Sequence, residues 1–212
     1  MHFLAHQFVQ REEKSPEFAF GLMLPDFVPG FTKIYNRTIS KTPSDSDLYK
    51  GIQCHFSDDK QFHSNVAFEK LNRELTHQLV ASGLSRTELR LSFIAHLLVE
   101  MLFDRWLAEK HSGLADKFYN HLEQLNIPSV HLYFDSMNLE HEKNLSLERR
   151  RWFLEHRFLY QLHNSEQMAM GVGRIYARST GRVITKNEQF RIIESINSFY
   201  AQPIVWQALL IR

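Results

Sequence analysis

The segment LRLSFIAHLLVEMLFDRWLAEK, residues 89–110, predicts a long helix that is apolar on nearly every side. A helix of that composition is buried and does not lie on a surface. His96, Glu100 and Asp104 nevertheless recur every four residues, so they share one face of the helix. Burying an unpaired charge costs on the order of several kcal/mol. We therefore expect a metal ion, a set of cations or an open cavity beside this face.

Length and composition are those of a globular chain that can build a sizeable core. The 212 residues are 43% hydrophobic and 23% charged, which suits a single domain. The one cysteine, Cys54, excludes an internal disulfide and favours a reducing compartment. No segment reaches the roughly 20 apolar residues of a membrane span, and the first residues lack the features of a signal peptide. The sequence predicts a cytoplasmic protein.

Charge is nearly balanced overall but unevenly distributed. The net charge of +1 gives no general argument for nucleic-acid binding. Residues 1–140 carry 14 Lys/Arg and 18 Asp/Glu, whereas residues 141–212 carry 11 and 6. The basic run ERRR, residues 148–151, is either a solvated helical face or a patch for an acidic partner. We predict one domain over residues 1–212, with a core in 1–140 and a basic helical part in 141–212 packed on it.

Helical periodicity, with only eight glycines and six prolines, predicts an all-α bundle of seven or eight helices. An early helix over residues 17–24 is expected to break at Leu24-Pro25, and residues 31–47 are predicted to be a loop. Residues 48–80 predict one or two helices. Later helices are predicted over residues 114–125, 146–162, 166–179 and 186–201.

A second stripe combines imidazole and carboxylate groups at helical spacing. His55, Asp59 and His63 stand four residues apart, as the first stripe does. His6 and Asp26 are further candidates, and Asp26 either points into a pocket from a helix end or forms a turn. Imidazole and carboxylate groups from several helices can bind Mn, Fe or Zn, and carboxylates also suit Mg. The alternative is a set of hydrogen-bonded buried polar groups.

Four segments, taken in chain order, resemble the motifs of one enzyme family. MHFLAH (1–6) resembles M-N-F-L-A-H, and GLMLPDF (21–27) resembles G-N-x-x-x-D-F. GIQCHFSDD (51–59) resembles G-I-x-x-H-x-x-x-D, and VEMLFDRWL (99–107) resembles D-x-x-x-D-H-F-L. The order and spacing of these segments agree with those of the acyl carrier protein phosphodiesterases, which are related to the HD-domain phosphohydrolases, and the chain resembles that family. RRWFLEHRFLY and GVGRIYARSTGR, in the last third of the chain, are more loosely similar to the family.

The resemblance implies an all-α, HD-domain-like fold and a metal-dependent hydrolase. The implied reaction cleaves the phosphodiester that joins 4′-phosphopantetheine to a serine of acyl carrier protein. The implied metal is manganese, with iron, zinc or magnesium as alternatives, held by Asp26, His55, Asp59 and Asp104. His6 matches the opening motif and takes a supporting role beside the ligands. The implied partner is acyl carrier protein or another acidic protein that carries phosphopantetheine.

Three positions depart from the family pattern. His63, Glu100 and Arg105 stand where it has Asp, Asp and His. We predict catalytic roles for these three residues and for His96, in which imidazoles move protons and Arg105 holds a phosphate. The alternative is a family member without catalysis that binds a carrier protein or a phosphate-containing ligand. An ion pair from Arg105 to Glu100 or Asp104 would favour that alternative, because it neutralises the stripe without a metal.

Overall fold

A computed structural model describes residues 3–10, 15–42 and 44–210, and within these ranges the chain is helical and has no strand. The all-α prediction is confirmed. The chain forms two compact units, residues 1–60 with 110–158 and residues 61–109 with 159–212. Residue 140, the predicted end of the core, begins a helix of the first unit. The single domain and the HD-domain-like arrangement stay predictions.

Eleven α-helices follow one another within the described ranges. They are α1 (Phe3–Val9), α2 (Pro16–Phe27), α3 (Phe31–Arg37), α4 (Asp47–His63), α5 (Val66–Ala81), α6 (Leu91–Lys110), α7 (Leu114–Gln124), α8 (Ile127–Asp135), α9 (Glu140–His156), α10 (Ser165–Thr180) and α11 (Lys186–Tyr200). Short 3-10 segments are Ile39–Lys41, Phe158–Gln161 and Trp206–Leu210. The first unit holds α1 to α3, most of α4, and α7 to α9, and the second holds α5, α6, α10 and α11.

Phenylalanine rings connect three helices in the core of the first unit. The ring centre of Phe3 on α1 lies 5.6 Å from that of Phe27 on α2 and 4.8 Å from that of Phe153 on α9. Phe27 and Phe153 also stack, with centres 5.1 Å apart. Because Phe3 precedes His6 by three residues and Phe27 follows Asp26 directly, the same packing positions these two candidate residues.

The end of α2 differs from the prediction, because the helix continues through Pro25 to Phe27. A proline this close to the end removes only the hydrogen bond that its missing N–H would give to Gly21. The start of the helix is well capped: Ser15 Oγ accepts a hydrogen bond from the N–H of Phe18. The continuation matters for the site, since it keeps Asp26 on a helix.

The predicted loop over residues 31–47 is wrong, since it contains α3 and a 3-10 segment. Gly30 has the left-handed conformation, with φ of 73°, at the start of α3, and Phe31 directly after it is buried. A helix of seven residues is too short to produce a clear periodic pattern of apolar residues. The Pro29-Gly30 dipeptide just before it is typical of a turn and therefore favoured the loop prediction.

The predicted buried helix is confirmed as α6, which begins at Leu91, two residues later than expected. Its middle is buried on all sides: Leu98, Val99, Glu100 and Met101 point to successive sides of the helix, and each is at most 7% exposed. Phe103 of this helix stacks on Trp206 of the C-terminal 3-10 segment. No helix within the described ranges combines the length and the apolarity needed to cross a membrane. The predicted helical region 48–80 is two helices, α4 and α5.

The start of α11 carries a capping box that we expect to stabilise the second unit. Thr185 Oγ1 accepts from the N–H of Glu188, and Glu188 accepts from the N–H of Thr185 at 2.8 Å. Thr185→Ala should lower the free energy of unfolding by about 1 kcal/mol. Urea denaturation measures the change, and Thr185→Ser, which keeps the hydroxyl, is the control. Equal stability of the alanine and serine variants would contradict the capping role.

Candidate metal centre

Three side chains of the first unit come together although they are far apart in the sequence. His6 lies on α1, Asp26 in the last turn of α2 and His55 on α4, and one potential ligand atom from each lies within 4.8 Å of the others. Both imidazoles are buried, with 1% and 4% of the residue exposed, whereas Asp26 is exposed. The cluster therefore opens to solvent on the side of Asp26.

Helices α2 and α4 can approach closely because each has a glycine where they meet. A Cβ atom on Gly51 would lie 2.1 Å from the carbonyl oxygen of Phe18, and one on Gly21 would lie 2.2 Å from that of Leu48. Backbone oxygens cannot swing away as a flexible side chain would, so both positions exclude any side chain. His55 stands one helical turn after Gly51 and therefore also faces α2.

A hydrogen bond to α2 orients the His55 ring. Its Nδ1 atom lies 2.8 Å from the carbonyl oxygen of Leu22. A carbonyl oxygen only accepts, so Nδ1 carries the proton and donates it. In the neutral ring, Nε2 then keeps the lone pair that a metal ion requires. Metal-binding histidines commonly have such a second hydrogen bond, which fixes both tautomer and orientation.

His6 is held between His55 and a buried carboxylate. The two imidazole rings stack with centres 4.2 Å apart. Nδ1 of His6 lies 3.8 Å from Oδ2 of Asp58, and that oxygen accepts a hydrogen bond from Gln10 at 2.9 Å. The geometry places His6 among the potential ligand atoms of the cluster, and its predicted supporting role stays a prediction.

The donor set of this cluster fits a divalent transition metal. Two imidazole nitrogens and one carboxylate oxygen suit Mn²⁺, Fe²⁺ or Zn²⁺. They suit Mg²⁺ less well, because that ion prefers oxygen ligands and retains water. Three protein ligands also leave coordination positions for water or substrate, as in catalytic sites.

The four predicted metal ligands do not all lie in this cluster. Asp26 and His55 belong to it. Asp59 is half-buried one turn after His55, and among the described residues it is not part of the group of three. Asp104 lies on α6 in the second unit, where it has no exposed surface. The metal-binding roles of Asp59 and Asp104 stay predictions.

A second group of three side chains lies in the second unit. His63 at the end of α4 joins His96 and Glu100 of α6, and one potential ligand atom from each lies within 4.8 Å of the others. Nε2 of each imidazole is 3.3 Å from Oε1 of Glu100. His63 of the second stripe therefore lies beside His96 and Glu100 of the first, and the catalytic roles predicted for these residues stay predictions.

Glu100 is one of the buried carboxyl groups for which the sequence predicts compensation. Burial raises the pKa of its carboxyl group, but opposing influences, among them hydrogen bonds from His63 and His96, hold that pKa well below its ordinary value. Glu100 is thus an anion on a buried helix face. The two imidazoles supply part of its compensation.

Arg105, predicted to hold a phosphate, has other partners in the second unit. Its Nε donates to Glu109 Oε1 at 2.8 Å, and its guanidinium lies 3.9 Å from the ring centre of Tyr200. The Tyr200 hydroxyl donates to the same carboxylate at 2.6 Å, and burial followed by this hydrogen bond raises the pKa of the phenol. Within the part of the chain that the structure describes, Arg105 has no ion pair with Glu100 or Asp104. The contact that would have favoured a protein without catalysis is not formed there.

Comparison of the chain with family models, with curated proteins and with solved structures gives no match. Membership of the acyl carrier protein phosphodiesterase family therefore stays a prediction carried by the sequence motifs.

Asp58 is a site residue that sequence reasoning missed. It stands three residues after His55, whereas the predicted ligand Asp59 stands four after it, and both spacings place a side chain on roughly the same helix face. Asp58 is buried beside His6, while Asp59 is half-buried. The sequence feature that could have indicated Asp58 is the Asp58-Asp59 pair. Only the position of α1 shows which of the two carboxylates lies beside His6.

Proposed function

We propose that the protein is a metal-dependent phosphodiester hydrolase related to the acyl carrier protein phosphodiesterases. One observation carries the proposal: His6, Asp26 and His55 converge within 4.8 Å, and each comes from a different motif of the resemblance. Gly21 and Gly51 begin two of those motifs, and both are needed for the close approach of α2 and α4. The motifs therefore supply both the ligands and the packing that brings them together.

The three side chains have separate tasks in this reaction. His55, oriented by Leu22, and His6, beside Asp58, hold a divalent ion through their imidazoles, with manganese as the first candidate and iron, zinc or magnesium as alternatives. When bound, such an ion supplies positive charge that stabilises a phosphoryl oxygen and makes water more acidic. Asp26 completes the ligand set from the exposed side, where the phosphodiester of a large substrate can reach it.

The proposed substrate is the phosphopantetheine-bearing form of an acyl carrier protein, an acidic partner by the resemblance. Residues 28–42 directly follow the Asp26 motif and contain three exposed cations, Lys33, Arg37 and Lys41, without any acid. Lys33 and Arg37 are four residues apart on α3 and share one face of that helix, and Lys41 lies in the 3-10 segment that follows. The basic run at residues 148–151 is a weaker candidate for binding an acidic partner, because the Arg150 side chain already donates to the carbonyl oxygen of Leu122 at 2.7 Å.

The test uses protein freed of its affinity tag, stripped with a chelator and dialysed to remove it. We expect hydrolysis of bis(p-nitrophenyl) phosphate and of holo acyl carrier protein after Mn²⁺ is restored, with phosphopantetheine release seen by intact-protein mass spectrometry. Chelation should abolish both reactions. Absence of both reactions with Mn²⁺, Fe²⁺, Zn²⁺ and Mg²⁺ would refute the hydrolase and leave a binding protein.

Charge reversal on α3 tests the partner separately from the chemistry. Lys33→Glu with Arg37→Glu should raise the KM for holo acyl carrier protein on the order of 10-fold or more, because like charges replace complementary ones. Hydrolysis of bis(p-nitrophenyl) phosphate should not change. The control reverses two exposed lysines of the second unit, Lys70 and Lys186. An unchanged KM in the α3 variant would exclude this helix from the docking surface.

A further inference from the structure

We propose a second transition-metal site in the second unit, formed by His63, His96 and Glu100. It shares no residue with the cluster of His6, Asp26 and His55, so it does not depend on the function proposed above. Its two imidazoles and one carboxylate are again a donor set for borderline divalent ions. The expected ion is Zn²⁺, and Co²⁺ can replace it for spectroscopy.

Two of the three separations between the donor atoms match those around a tetrahedral ion. Ligand bonds of about 2.0–2.1 Å at tetrahedral angles place neighbouring ligand atoms about 3.3 Å apart. Nε2 of His63 and Nε2 of His96 each lie 3.3 Å from Glu100 Oε1. Without an ion, the two imidazoles donate hydrogen bonds to this oxygen, and a bound ion would take the place of their protons. Both imidazoles approach the same carboxylate oxygen, as two ligands beside a third.

Aromatic packing holds both rings in place before any ion binds. The imidazoles of His63 and His96 stack with centres 4.6 Å apart and planes 16° from parallel. The buried ring of Phe68, in the first turn of α5, lies edge-on to both, with centres 4.8 Å and 5.1 Å away. His96 and Glu100 are additionally one turn apart on the rigid helix α6. This packing keeps both rings beside Glu100. To bind one ion through both Nε2 atoms, the rings must turn out of the near-parallel arrangement, because a bound ion lies in the plane of each imidazole.

The carboxylate of the second cluster is buried and its two imidazoles are partly exposed, which leaves a route from solvent for an ion. Glu100 is buried, whereas 27% of the His63 side chain and 33% of the His96 side chain are exposed. The ion can therefore enter from the imidazole side and meet an anion inside. With three protein ligands, a coordination position remains for water or another small ligand. These features distinguish the site from a closed structural zinc site with four protein ligands.

The test isolates the second cluster in a His55→Ala background, in which the first cluster lacks a ligand. Metal-free protein without an affinity tag is titrated with Co²⁺ and followed by visible absorption. We expect one Co²⁺ per chain with the intense bands of a tetrahedral site. Adding Glu100→Gln should weaken binding on the order of 100-fold. Adding His77→Gln instead, at an exposed histidine of the same unit, should leave the affinity unchanged.

Two outcomes of the Co²⁺ titration overturn the proposal: no binding by the His55→Ala protein, or the same affinity after Glu100→Gln. If the Glu100 variant does not fold, His96→Gln at a partly exposed position takes its place. Zn²⁺ should then raise the melting temperature of the His55→Ala protein and fail to raise that of the double variant. An equal rise in both proteins would also refute the site.

Discussion

His55→Ala is expected to lower Mn²⁺-dependent hydrolysis of holo acyl carrier protein by about 1,000-fold or more, equivalent to about 4 kcal/mol of transition-state stabilisation. The substitution removes a ligand whose tautomer is fixed by the carbonyl oxygen of Leu22, 2.8 Å away. It also removes the ring on which His6 stacks. The measurement is kcat/KM, together with the Mn²⁺ content of the purified protein.

The matched control is His141→Ala, which removes an exposed imidazole from the same unit. It should keep both activity and metal content. Circular dichroism and thermal unfolding of the His55→Ala protein separate the loss of a ligand from the loss of the fold. A folded His55→Ala protein with wild-type kcat/KM would contradict the assignment of the first cluster.

A graded variant at the exposed ligand strengthens this test. Asp26→Asn keeps the size of the side chain but removes the charge that a divalent ion favours. Since Asp26 is exposed, the change should cost little stability while it weakens Mn²⁺ binding. We expect Asp26→Asn to lose activity that excess Mn²⁺ partly restores. Excess Mn²⁺ should restore less activity to His55→Ala, because that variant also loses the ring on which His6 stacks.

The long helices could be predicted because the apolar residues in their sequences form a pattern over several helical turns. The helix α6 was clear from twenty residues of nearly continuous apolarity, and α4 and α5 from repeated apolar spacing. The short helix α3 gave too few turns for a period to emerge. Pro25 misled the prediction of the end of α2, because a proline stops a helix only where the lost hydrogen bond matters.

The sequence could predict which candidate site residues share a face of one helix, but it could not predict which residues of different helices lie together. Spacing of four residues placed His96 with Glu100 and His55 with Asp59 correctly on shared faces. Successive residues of a helix are turned by about 100°, so the residues three and four after His55 flank it on opposite sides. Only the tertiary position of α1 selects Asp58 as the neighbour of His6. The meeting of His63 with His96 likewise depends on packing between helices that no single stripe contains.

Gly51→Ala is expected to have the largest effect on stability, lowering the free energy of unfolding by about 3 kcal/mol. The added Cβ would lie 2.1 Å from the carbonyl oxygen of Phe18 and 3.0 Å from Cα of Gly21, both backbone atoms. Helices α2 and α4 must therefore separate. A displacement of about 1 Å at a catalytic group costs roughly 100-fold in rate, so hydrolysis should fall in the fraction that remains folded.

Gly173→Ala is the matched control, because a Cβ atom there meets nothing within 4 Å and the residue lies in the helix α10. Alanine should stabilise that helix by about 0.5–1 kcal/mol relative to glycine. The two variants thus make the same chemical change with opposite expected signs. Urea denaturation of both proteins, with hydrolysis measured below the transition, compares them directly. If Gly51→Ala is as stable and active as the wild type, close contact between α2 and α4 does not position His55.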